Sequence, residues 1–189
     1  MNPLKIVFVL TFVTLVNGYA IAQKDSLVEL ENTFPAQYYG RQGVKVGFSG
    51  GKHMFGEISW YAEEVVHFAG WPMFNGPGIH IGSEFGYVDK LIVAPKIGTR
   101  IHIALPQVGL SFLWYSDLKG GYAPTLRPEI GIGIAHQFEL LYAYNWDFVN
   151  ENLNSINSHM LTFRFNLTIL ERRKYIDDSD NHSSWKSVL

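Results

Sequence analysis

From about residue 41 onward, apolar and polar side chains alternate with a period of two. The stretch from Arg127 to Ala135 shows it plainly, with Ile130, Ile132 and Ile134 on one side and Arg127, Glu129, Gly131 and Gly133 on the other. The same alternation sets Val44, Val46 and Phe48 against Lys45 and Gly47, and Met54, Ile58 and Trp60 against Glu57, Ser59 and Tyr61. It separates Ile79, Ile81, Phe85 and Tyr87 from His80, Gly82, Glu84 and Gly86, and Ile97, Ile101 and Ile103 from Lys96, Gly98, Arg100 and His102. Segments around Val108–Trp114, Leu140–Trp146 and Leu161–Ile169 continue it, the last setting Phe163, Phe165 and Leu167 against Thr162, Arg164 and Asn166. Strict alternation predicts half-buried strands, eight of them, and no segment after the leader reads as a helix.

Eight alternating strands suit two closed architectures. A soluble barrel of the lipocalin kind turns its apolar faces inward; a transmembrane barrel turns them to lipid and its polar faces to the lumen. The content of the faces favours the second. The apolar face is bulky, and Trp60, Tyr87, Trp114, Tyr144 and Trp146 cluster toward segment ends in the manner of an interfacial girdle. The polar face mixes glycines with Glu57, Glu84, Glu129 and Glu139 and with Lys45, Lys96, Arg100, Arg127 and Arg164. A solvated face has little use for so many glycines, whereas a narrow lumen needs small residues beside long ones and shields charges only as pairs. The expected fold is therefore all-β, an eight-stranded antiparallel transmembrane barrel of the outer-membrane type. Ile130, Ile132, Ile134, Phe163, Phe165 and Leu167 are expected to face lipid, and the nine charges to form a lumen network. Arg127 is expected to reach glutamates such as Glu139 on the neighbouring strand, and Glu129 the basic set Lys96, Arg100 and Arg164, with the register left open by the sequence.

The N-terminus supplies the compartment. Lys5 precedes an apolar run from Ile6 to Val16, and Ala20 and Ala22 offer the small-x-small pattern of a signal-peptidase site, with cleavage expected after Ala22. A membrane anchor would need roughly 20 apolar residues. The chain thus divides into a signal peptide (1–22), a periplasmic lead-in (23–40), the barrel (41–170) and a charged tail (171–189), read as a disordered extension. A formal net charge of −2 over 189 residues gives no hint of a nucleic-acid partner, and the absence of cysteine excludes disulfides and thiolate metal sites.

Candidate chemistry is sparse. His80 and His102 share the inner face but lack a matched third ligand, so no metal and no cofactor is expected. Asp117 and His159 sit at strand ends in no order that would activate a serine, and no catalytic residue is assigned. The connections near residues 50–52, 88–90, 117–121 and 148–157 should lie at one end, and tight turns near 105–107 and 136–137 at the other. The segment 63–78 breaks this scheme, being long and apolar. It either extends the flanking strands or, through Trp71, Pro72, Met73 and Phe74, offers an association surface.

The elements "APKIG", "LSFLWYSDLKGGYAPTLRPEIGIGI", "FELLYAYNW" and "SHMLTFRFNLTI" resemble a group of small, uncharacterised outer-membrane β-barrel proteins common in Bacteroidetes. The resemblance implies the fold and the compartment, and marks Lys96, Arg127 and Glu129 as inward-facing polar positions; it brings no activity. The expectation is an integral outer-membrane barrel with a charge-plugged lumen and a structural or interaction role, for instance as a subunit of a larger complex. Its partners would be outer-membrane lipid and other outer-membrane or periplasmic proteins. The alternatives are a lipid-modifying outer-membrane enzyme and a soluble, lipocalin-like binder of apolar ligands.

Overall fold

The computed structural model describes residues 36–68, 71–103, 105–134, 137–148, 153, 156, 158–177 and 182–187, of which 36–37, 67–68, 71–75, 174–177 and 182–187 are described by backbone alone. The expected signal peptide and most of the lead-in lie outside these residues. The strands are β1 (Ala36–Gly50), β2 (Met54–Phe68), β3 (Trp71–Tyr87), β4 (Leu91–Ile103), β5 (Pro106–Ser116), β6 (Tyr122–Ile134), β7 (Phe138–Tyr144), β8 (Trp146–Asp147), β9 (His159–Asp177) and β10 (His182–Ser187).

Every neighbouring pair is antiparallel, and β1 pairs with β9 from Tyr38↔Lys174 to Gly50↔Leu161, which closes the sheet. β8 continues β7 past a break at Asn145, with the same partner β6, so the barrel has eight strands and β10 lies outside it against the end of β9. A register path from Val46 through Ile58, Ser83 and Pro95 around the sheet returns to β1 about ten residues from its start, so the strands tilt by about 40°. β7 ends its pairing with β9 at Phe165, and β9 runs on to Asp177.

One open choice is decided here and two expectations change. Segment 63–78 extends the flanking strands, because β2 reaches Phe68 and β3 starts at Trp71; the side chains of Trp71, Pro72, Met73 and Phe74 lie outside the described residues. The barrel starts at Ala36, inside the expected lead-in. The charged tail is not an unstructured extension throughout: residues 171–177 continue β9 and 182–187 form β10, because the backbone of β1 and of β10 satisfies both edges of β9 there.

At one end the connections are 51–53, 88–90 and 117–121. Asp117 organises the last of these, accepting N–H bonds from Lys119 (2.9 Å) and Gly121 (2.7 Å). Gly120 there holds φ at 102°, where a side chain would be strained. At the opposite end two or three residues separate successive strands.

The two faces of the wall differ as the alternation demands. Outward, Ile58, Ile79, Ile81, Ile97, Ile130, Ile132, Leu140, Phe163 and Leu167 are exposed. Inward, the end nearest the longer connections is filled by Phe55, Ile92, Leu113, Tyr115, Leu153, Ile156 and Met160, with Phe55 edge-on to Tyr115.

Candidate functional site

Below that apolar stopper the barrel interior is a belt of charge. β2 contributes Glu57 and Glu63, β3 Glu84, β6 Arg127 and Glu129, and β7 Glu139, while Lys45, Lys96, Arg100 and Arg164 come from β1, β4 and β9; all ten are buried. Five cations thus face five carboxylates. Alternation puts them on one face, and closure of the sheet brings that face in upon itself.

The belt is connected. Arg127 grips Glu84 with both prongs, Nη1 to Oε1 at 2.5 Å and Nη2 to Oε2 at 3.0 Å, while its Nε donates to Asn145 Oδ1 at 2.7 Å. Tyr115 donates to Glu84 at 3.2 Å and also meets Arg127. Lys96 bridges from Glu84 (3.2 Å) to Glu57 (3.0 Å), with Glu129 at 3.7 Å. Arg164 holds Glu129 through both terminal nitrogens, at 3.0 and 2.5 Å, and reaches Glu57 through Nε at 2.7 Å. Nearer the turn end, Glu139 gathers Arg100, Lys45 (3.5 Å) and the Asn166 amide (2.6 Å), and Arg100 also donates to Glu63 at 2.9 Å. Lys45 and Arg100 both lie over the Tyr61 ring. Burial of a charge is tolerable only with such partners, since an unpaired one costs several kcal/mol.

The nine charges expected on the inner face are all in this belt. One pairing differs: Arg127 answers Glu84, three strands away across the interior, and not Glu139, which Arg100 and Lys45 take instead. Glu129 meets Arg164 and Lys96, two of its three expected partners. Glu63, Tyr61, Tyr115, Asn145 and Asn166 complete the network. Glu63 continues the parity of Glu57 and Ser59, a signal present in the sequence but hidden by the apolar run that follows.

His80 donates to or accepts from Ser111 at 3.1 Å in a slot that Gly98 keeps open, since a Cβ there would lie 2.6 Å from the imidazole. His102 sits on the neighbouring strand, paired in register with Gln107, so the two histidines serve separate surroundings. Asp117 answers Lys90, and His159 answers the Tyr142 hydroxyl at 2.5 Å, so these two belong to different contacts as well. Among the described residues no group of three or more His, Cys, Asp or Glu is arranged to hold a metal ion.

No protein-family model, no curated protein sequence and no solved structure matches the chain. Geometry therefore carries the functional reading alone. Ile130, Ile132, Ile134, Phe163 and Leu167 are exposed on the outer wall, and Phe165 packs its ring 5.0 Å from that of Phe138.

Proposed function

We propose that the chain is an integral outer-membrane barrel whose lumen is closed by paired charges and whose role is structural, as a membrane scaffold or a subunit of a larger assembly. The observation that carries this reading is the inversion of the wall: isoleucine, leucine and aromatic side chains stay exposed all round the outside, while ten ionisable groups are buried within. In water such an outer face would be a large exposed apolar patch, which soluble monomers avoid; in a bilayer it is the lipid-facing band of a transmembrane barrel.

Aromatic placement supports it. Trp114 stacks on Tyr122, Tyr144 meets Trp146 edge-on, and Tyr142 bonds to His159, all at the end nearest the longer connections, where an interfacial girdle would lie. The apolar stopper and the paired belt argue for a filled interior and against a cavity for an apolar ligand, which would be lined by apolar groups. Ser111 and His80 share a hydrogen bond but lie in the filled interior, which favours a packing role for them.

Fractionation of cells producing the full chain tests the proposal. The expected result is recovery with outer membranes, extractable only by detergent, and migration that shifts on heating; recovery in the soluble fraction would overturn it.

A further inference from the structure

Three irregularities fall close together in the wall. β3 carries an extra residue between Asn75 and Ile79 against both of its neighbours and another between Pro72 and Phe74 against β2, and the β1–β9 register shifts at Gln42/Gly43, where the extra residue is on β9. Bulges bend a strand and sharpen its twist. Here they border a cleft of about 500 Å³ whose lining includes Gly40, Arg41, Ala62, Glu63, Glu64 and Arg172, within the range of small-ligand sites.

Register explains its shape. Gly40 pairs with Glu64 on one side and with Arg172 on the other, so two exposed charges of opposite sign flank a position without a side chain. Their inward neighbours are engaged, Arg41 with Glu171 and Glu63 with Arg100, whereas no ion pair among the described residues takes Glu64 or Arg172. The backbones of Glu64 and Arg172 stand two strand spacings apart, about 10 Å, and both side chains are long enough to close on a small group between them.

Height on the wall narrows the ligand. On the outer face Val46 and Phe48 of β1, Ile58 and Trp60 of β2, and Leu167 and Ile169 of β9 are exposed and apolar, and toward the turn end Gln42, Glu64 and Arg172 are the first polar positions to follow them. That change marks where hydrocarbon would give way to headgroups. We propose that this cleft binds the headgroup of a zwitterionic glycerophospholipid with a primary ammonium, Arg172 holding the phosphate and Glu64 the ammonium. Guanidinium matches phosphate oxygens in a two-pronged geometry, and a carboxylate accepts strong N–H bonds from an ammonium. A glycerol headgroup offers no cation, and a quaternary ammonium offers no N–H. The site rests on the membrane reading above.

The test uses the full chain in nanodiscs of equal phosphatidylethanolamine and phosphatidylglycerol, with retained lipid identified by native mass spectrometry after gentle detergent release. The expected result is enrichment of phosphatidylethanolamine by about tenfold, the worth of one strong polar contact. Glu64→Gln, Arg172→Gln and the cleft-filling Ala62→Leu should abolish it while heat-modifiable migration is kept. An inserted barrel that retains both lipids equally, or variants that retain the parent's enrichment, would overturn the headgroup site alone. Displacement of the lipid by soluble glycerophosphoethanolamine at matched concentration would overturn the commitment to a membrane lipid. A chain that stays in solution without detergent would overturn both this site and the membrane reading.

Discussion

Arg127 and Glu84 meet across the barrel interior in a two-pronged ion pair, although β6 and β3 share no hydrogen-bonded edge. Tyr115 and Lys96 also contact Glu84, while Arg127 keeps Asn145. The carboxylate is therefore shared by two cations, whereas Glu84 is the one carboxylate that Arg127 meets among the described residues.

Glu84→Gln strands Arg127, while Lys96 keeps Glu57 and Glu129, and is expected to destabilise by about 3–5 kcal/mol; Arg127→Met should cost less than that, and the double variant less than the sum of the two. Unfolding in detergent or lipid read by intrinsic fluorescence supplies all four corners of the cycle. Strictly additive effects below about 1 kcal/mol would mean that water screens the belt.

Ile132→Arg puts a guanidinium on the outer wall where isoleucine is now 45% exposed. In a bilayer the expected cost is about 2–4 kcal/mol, measured by folding titration into lipid vesicles. A variant as stable as the parent would show that this face meets water.

Gly131→Ser has a different target. A Cβ at Gly131 would lie 2.0 Å from the Leu140 carbonyl oxygen, so the β6–β7 pairing must shift to admit it. The expected loss is about 1–3 kcal/mol, with weakened amide protection along Phe138–Tyr144 by hydrogen exchange.

Asp117 gives a pH signature at the connection end. The hydrogen bond from Lys90, then the amides of Lys119 and Gly121, hold its carboxyl down to about 2. A carboxylate whose folded value is depressed contributes fully above its unfolded value of about 3.9, and its contribution is lost as pH falls through the folded value. Amide protection at Lys119 and Gly121 should hold down to about pH 4 and fade between about pH 4 and pH 2. In Asp117→Asn protection should be weaker and independent of pH over that window.

The alternation of Ile130, Ile132 and Ile134 with Arg127 and Glu129 made the strands, the faces and the inner charge set legible, because a period of two is local. Who pairs with whom was not. Arg127 was expected to reach a glutamate of the neighbouring strand such as Glu139, but the partner across a closed sheet depends on stagger accumulated over every strand between, and no single segment encodes it. Glu63 was hidden for a local reason, since it keeps the inward parity of Glu57, Ser59 and Tyr61 but is followed at once by an apolar run that blurs the alternation. The reach of β9 to Asp177 was masked by charged residues that read as solvated until β1 and β10 give their backbone partners.

The last barrel strand carries one more consequence. Arg164 of β9 is the cation that clasps both Glu57 near the start of the barrel and Glu129 near its end. A nascent chain lacking β9 leaves Glu129 with Lys96 alone at 3.7 Å, so an incomplete wall holds an electrostatic debt that only the final strand cancels. Arg164 thus acts as a keystone in time as well as in space: the first and last barrel strands are joined at the moment when Glu57 and Glu129 gain their shared cation, and a half-built barrel holds a carboxylate it cannot pair.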